Sequence, residues 1–285
     1  ASCLVGSEMC IRDRVWMEDP GYPGARQLMK ASGVAMVEVP VDREGLQVEA
    51  ALGLAADARL AYVTPSHQAP LGGELSPARR LALLRWASER GSYIFEDDYD
   101  SEYRFVAKPI PALRSMPGAD ASVILAGTFS KLLFPSLRLA YVVLPPQLVD
   151  GFTRLVSLTA RHANSLSQAV LADFIEQGHF DRHLRRMRKL YAARAEAFAD
   201  AAERHWQELI EVPPIRAGLD VVCRLHGIDE LAAQARLAEA GIDVMPLQLY
   251  GVKPQAPGLV MGFAPYREAA IEQSAREVAR LLRRR

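Results

Sequence analysis

Beginning at Val15, short apolar runs alternate with stretches of helical pattern, and that alternation constrains the fold more than any other feature. Val34–Val39 (VAMVEV) and Ala58–Thr64 (ARLAYVT) read as strands around a short helix at Glu49–Ala55. Ser76 followed by Pro77 is a cap followed by proline at the first helical position, so a helix is expected over Pro77–Glu89, stopping at Gly91. Three more strands follow in SYIFEDDYD, SVILAGTFSK and LRLAYVVLP. This order implies an α/β fold with a mostly parallel sheet covered by helices on both faces, whose chemistry gathers at the strand ends.

After Pro145-Pro146 the pattern turns helical, over Gln147–Arg161 and over Ser167–His205 with a break near Gly178. Strands at Asp220–Leu225 and Leu259–Phe263, with helices at Ile228–Ala240 and Arg267–Arg284, then make a small C-terminal α+β lobe. The expected division is a large domain over 15–147, connecting helices over 148–205 and a small domain over 206–285. Residues 1–14 carry two of the three cysteines and no periodicity, and are set aside as foreign or disordered sequence.

Thirty-four basic residues balance thirty-four acidic ones, so the basic excess of a protein built to grip nucleic acid is missing. No apolar run reaches the roughly 18 residues of a membrane span, and no secretory pattern is visible. Three cysteines (Cys3, Cys10 and Cys223) are too few for a disulfide framework, and a reducing cytoplasm is expected.

Four clusters carry chemistry. In Gly127-Thr128-Phe129-Ser130-Lys131, with Arg138 seven residues on, a lysine amine suited to a Schiff base stands among hydroxyls and a guanidinium suited to a phosphate dianion. An ordinary surface lysine after a strand has the same local pattern. In Glu96-Asp97-Asp98-Tyr99-Asp100, strand alternation puts Asp97 and Tyr99 on one face and Glu96 and Asp98 on the other. Asp97 could keep a pyridine nitrogen protonated and Tyr99 could hydrogen-bond a ring oxygen, whereas a bare run of carboxylates could bind Mg²⁺ or be solvated. Glu18-Asp19-Pro20-Gly21-Tyr22-Pro23-Gly24 is a rigid turn presenting Tyr22 for stacking, although turn tyrosines are commonly just packing. Thr64–Gly73 (TPSHQAPLGG) is a polar strand-end loop.

In this order the motifs EDPGYPG, TPSHQAPLGG, EDDYDSEYRF and TFSKLLFPSLRLAYVV resemble fold type I pyridoxal-phosphate enzymes, the class I/II aminotransferase superfamily. Within it they are most similar to the aminotransferase-like domain of MocR-type transcriptional regulators of the GntR superfamily. The resemblance implies pyridoxal 5'-phosphate as cofactor and Lys131 as the catalytic Schiff-base lysine. It pairs Asp97 with the pyridine nitrogen and Tyr99 with the ring oxygen. It gives Ser130, Arg138 and Thr128 to the phosphate and Tyr22 to the ring face. It also implies a homodimer that recognises an amino acid or amine and reaches DNA only through an N-terminal winged-helix domain, so that this chain is a fragment.

The chain departs from the family's pattern in several places. The glycine-rich phosphate turn and the winged helix, both expected upstream of EDPGY, have no room here. The asparagine of the N-P-x-G loop aligns with Ala69, leaving His67 and Gln68 without assigned roles. The usual arginine for a substrate carboxylate aligns with Val260. A free-standing aminotransferase and a non-catalytic ligand-sensing or dimerisation module therefore remain alternatives. His179 and His183, four residues apart, read as a solvated helix face rather than a metal site, and no metal is expected.

Overall fold

The computed structural model describes residues 13–106, 111–161, 164–253 and 255–283. The expectation for residues 1–14 falls almost wholly outside them. By compactness the chain divides into two units. One takes the chain up to Gln68, Gly73–Asp100 and the stretch ending at His183; the other takes Ala69–Gly72, the segment from Ser101 and everything from Leu184. This division passes through the connecting helices expected over 148–205.

The first unit holds β1 (Arg14–Asp19), α1 (Pro23–Ala31), β2 (Ala35–Asp42), β3 (Gly45–Leu46), α2 (Val48–Ala55), β4 (Leu60–Val63), α3 (Pro77–Arg90), β5 (Tyr93–Asp98), β6 (Val123–Thr128) and β7 (Ala140–Val143). Its seven-stranded sheet runs β3-β2-β1-β4-β5-β6-β7. β2, β1, β4, β5 and β6 are mutually parallel, and β3 and β7 are antiparallel edges. Successive residues of β1 serve opposite cores. Trp16 joins Val39, Leu46, Leu83 and Ile94, while Met17 joins Ala25 and Tyr62, so the sheet buries both faces as a parallel sheet must.

Local chemistry sets the element ends. Ser76 Oγ accepts from Arg79 N at the start of α3 (3.4 Å). Gly91, at φ 60°, ends the helix in the left-handed region that glycine enters without steric cost. The same unit continues with α4 (Val149–Thr159) and α5 (Ser165–Glu176). α6 (His179–His205) starts in this unit, and its chain continues into the other.

The second unit contains β8 (Ile210–Glu211), β9 (Asp220–Leu225), α7 (Glu230–Glu239), β10 (Met245–Pro246), β11 (Gly258–Gly262) and α8 (Glu268–Arg283). Its antiparallel sheet runs β10-β11-β9-β8 over a core that includes Phe198, Trp206, Leu237, Phe263 and Ile271. Val260 is buried on β11 beside Val222 and Leu247. Among the described residues no helix is long and apolar enough to cross a membrane.

Candidate functional site

β1, β4, β5 and β6 are neighbours running the same way, so their carboxyl ends share one edge of the sheet. The motif residues sit on that edge.

Asp97, near the end of β5, accepts a hydrogen bond at Oδ2 from the Tyr62 hydroxyl of β4. Burial pushes the Asp97 carboxyl up, while Tyr62 and the charge of Lys131 pull it down. Glu96 points to the opposite face, as strand alternation requires. It is fully buried and accepts from Leu113 N (2.6 Å) and Arg114 N (2.8 Å), a structural role in the other core. Asp98 acts electrostatically on Glu96 and on the buried Arg80.

Tyr99 lies in the bend beyond β5. Its hydroxyl donates to His67 O (2.9 Å), and His67 Nδ1 lies 3.0 Å from both oxygens of the buried Asp100. Lys131 Nζ stands 4.3 Å from the centre of the Tyr99 ring, within cation–π range. Asp97, Tyr99 and Lys131 are thus brought together.

Lys131 is carried by a turn beyond β6 that Thr128 organises. Its Oγ1 accepts from Ser130 N (3.1 Å) and donates to Leu139 O (3.5 Å), and Phe129 N bonds the same carbonyl (3.0 Å). Arg138 closes the following 3-10 turn at φ 51°, a left-handed conformation uncommon for a non-glycine residue and concentrated at functional sites. His183 corrects one sequence expectation: it is half-buried rather than solvated, and its Nε2 donates to Leu132 O (3.0 Å), next to Lys131. Among the described residues no group of three or more His, Cys, Asp or Glu side chains could hold a metal ion.

Tyr22 caps the start of α1 and is 48% exposed, with its ring folded over Gly24; a Cβ there would meet the ring at 2.6 Å. It also lies within electrostatic range of Tyr62.

Sequence reasoning missed the polar centre beneath these groups. Glu18, 1% exposed at the end of β1, accepts from Thr64 Oγ1 (2.6 Å), Thr64 N (3.3 Å) and Gln68 Nε2 (3.2 Å). Gln68 Nε2 also donates to Pro20 O (2.9 Å), so the polar loop after β4 is tied to the turn after β1. Burial raises Glu18 to about 7, against the pull of its donors and with a further push from Asp97.

The raised Glu18 carboxyl predicts a pH dependence of stability. A carboxyl raised in the folded state stabilises fully below its unfolded value, near 4.5, and loses that contribution as pH rises through about 7. Between those limits the folded chain binds more protons than the unfolded chain, so the wild type sheds up to about 3 kcal/mol that Glu18→Gln does not. Urea unfolding of both proteins at the two ends of this window measures the difference. Parallel pH curves would show that Glu18 is not raised.

A lysine beyond one parallel strand, facing a half-buried aspartate and a tyrosine at the end of the next, defines this as a fold type I pyridoxal-phosphate transferase fold. The profile of the family described as aminotransferase class I and II matches residues 2–260, and the chain belongs to that family. It is 43% identical over 257 residues to the probable rhizopine catabolism regulatory protein MocR of Rhizobium meliloti, covering 88% of this chain and 51% of that protein. It is 32% identical over 272 residues to the pyridoxine biosynthesis transcriptional regulator PdxR of Corynebacterium glutamicum, covering 93% of this chain and 57% of that one. The crystal structure of LysN, an alpha-aminoadipate aminotransferase from Thermus thermophilus complexed with N-(5'-phosphopyridoxyl)-L-leucine, superposes with a TM-score of 0.86 at 26% identity, covering 95% of this chain and 71% of that one. The chain spans about half the length of the curated relatives it matches.

Proposed function

We propose that this chain is a pyridoxal-phosphate-binding, aminotransferase-like domain serving as the effector-sensing part of a MocR-type transcriptional regulator. The observation that carries the reading is the meeting of Lys131, Asp97 and Tyr99 at adjacent strand ends. The donor set has the chemistry of a planar phosphorylated aldehyde's partners: an amine, a half-buried carboxylate, two phenols, and hydroxyls and a guanidinium near the amine in sequence. Similarity to two regulators, the first at 43% identity, supports the sensing role.

On this reading the first unit is the cofactor domain. Lys131 holds the aldehyde carbon, Asp97 the ring nitrogen, Tyr99 the ring oxygen and Tyr22 the ring face. Ser130, Thr128 and Arg138 take the phosphate. Bound there, the cofactor supplies an electron sink for an amino acid or amine. Tyr99, held through His67 and Asp100, keeps its ring under the lysine amine. The protein acts in the cytoplasm as a homodimer and reaches DNA through a further domain of the longer protein. With Val260 where a carboxylate-binding arginine is usual, sensing fits better than efficient amino transfer.

The test is to load the chain with pyridoxal phosphate and add the proteinogenic amino acids and small amines singly. A visible-band change with one class, without accumulation of the 2-oxo acid, is the expected result. Steady turnover to the 2-oxo acid would make it an aminotransferase instead, and the absence of any band would leave a module without cofactor.

A further inference from the structure

Tyr62 belongs to none of the four motifs, yet the structure gives it a defined task. It lies on β4 in register with Met17 of β1 on one side and Phe95 of β5 on the other. It is 4% exposed, packs with Met17 and Ala25, and stacks on Phe95 with ring centroids 5.5 Å apart and planes 12° apart. A phenol confined on three sides has little rotamer freedom, and its hydroxyl ends on Asp97 Oδ2.

We propose that Tyr62 is the positioning residue of Asp97: its O–H occupies Oδ2, favours the charged carboxylate and leaves Oδ1 as the acceptor for a protonated ring nitrogen. This rests on the reading of Asp97 given under Proposed function.

The surroundings explain why such a donor is needed. Asp97 is pushed toward its neutral form by burial and by Asp98 and Asp100 on its own segment, with Glu18 of β1 a further carboxyl in electrostatic contact. Against these stand the Lys131 charge and the Tyr62 hydrogen bond, of which the hydrogen bond is the larger effect. A Schiff base at Lys131 would redistribute that lysine's charge, whereas Tyr62 donates throughout. Its own burial, with Asp97, Glu18 and Tyr22 nearby, keeps the phenol far above its ordinary range, so it stays protonated at any working pH.

Tyr62→Phe removes one oxygen and keeps the ring that packs on Phe95, so the variant should fold, and thermal melting would verify this. Two measurements decide the proposal. In the chain without cofactor, the Asp97 carboxyl, followed by ¹³C NMR with selective aspartate labelling, should titrate about one unit higher in Tyr62→Phe. With pyridoxal phosphate, the variant should bind about tenfold more weakly, and the pH midpoint of its visible band should shift relative to wild type. An unchanged Asp97 titration would overturn the proposal, as would an unchanged affinity in a variant with a shifted titration. A wild-type chain that bound no pyridoxal phosphate would overturn the functional reading instead, and the NMR titration would still decide whether Tyr62 holds Asp97.

Discussion

Borohydride reduction of the loaded chain should fix the pyridoxyl group on Lys131, and Lys131→Ala should lose that adduct and keep only a scattered background. Its amine is 4.3 Å from the Tyr99 ring centre and close enough to Asp97 to lower that carboxyl. No such setting surrounds Lys30, exposed in the last turn of α1, or Lys189, exposed on α6. A Schiff base forms readily on any unprotonated amine, so an unspecific adduct would spread over such exposed lysines. Retention at Lys131 requires the aldehyde to be held there by groups that Lys30 and Lys189 lack. Peptide mass mapping after reduction measures the distribution. An adduct concentrated on Lys30, Lys189 or Lys253, or undiminished in Lys131→Ala, would remove Lys131 from the site. Lys131→Arg refines the experiment, because it keeps a positive charge near Asp97 and loses only the capacity for attachment.

The sheet was legible because its signals are local. The apolar runs marked β2, β4 to β7, β9 and β11, β9 to the residue, and Ser76-Pro77 and Gly91 marked the ends of α3. α1 was hidden because its start coincides with the EDPGYPG turn, whose prolines and glycines read as a loop, although a proline in the first turn is also a helix start. The antiparallel setting of β7 was equally hidden, since a run of apolar residues carries no direction.

At the site the dividing line is sequence distance. Asp97, Tyr99 and Lys131 sit in recognisable motifs. Tyr62 meets Asp97 across 35 residues, His67 meets Asp100 across 33 and Glu18 meets Thr64 across 46. These pairs exist only once β1, β4 and β5 lie side by side, and no helical or strand period encodes them. Burial gave the remaining clue in hindsight. A glutamate directly after three apolar strand residues, as Glu18 is, needs partners wherever the sheet is covered on both faces.

Asp97 and Asp98 are adjacent and chemically identical, so comparing them isolates the effect of direction. Asp97 shares its side of β5 with Phe95, and its carboxyl meets Tyr62 and the Lys131 charge. Asp98 acts on Glu96 and Arg80, on the side where Glu96 holds Leu113 N and Arg114 N, and reaches Asp97 only through its charge. Asp97→Ala removes a charge-assisted bond to the ring nitrogen, worth about 1.5–3 kcal/mol, and leaves the buried Tyr62 hydroxyl without its acceptor. Together these should weaken pyridoxal phosphate binding by about a hundredfold. Asp97→Asn, which keeps the shape and can still accept from Tyr62, should fall between that variant and the wild type. Asp98→Ala removes neither contact, only a charge that disfavours the ionised Asp97, and should bind the cofactor within about threefold of wild type, a change no larger than an ordinary surface substitution makes. Titration of the visible band in all four proteins ranks them. If Asp98→Ala proved the weaker binder, β5 would be turned over by one residue, and Tyr62 would be facing the wrong carboxylate.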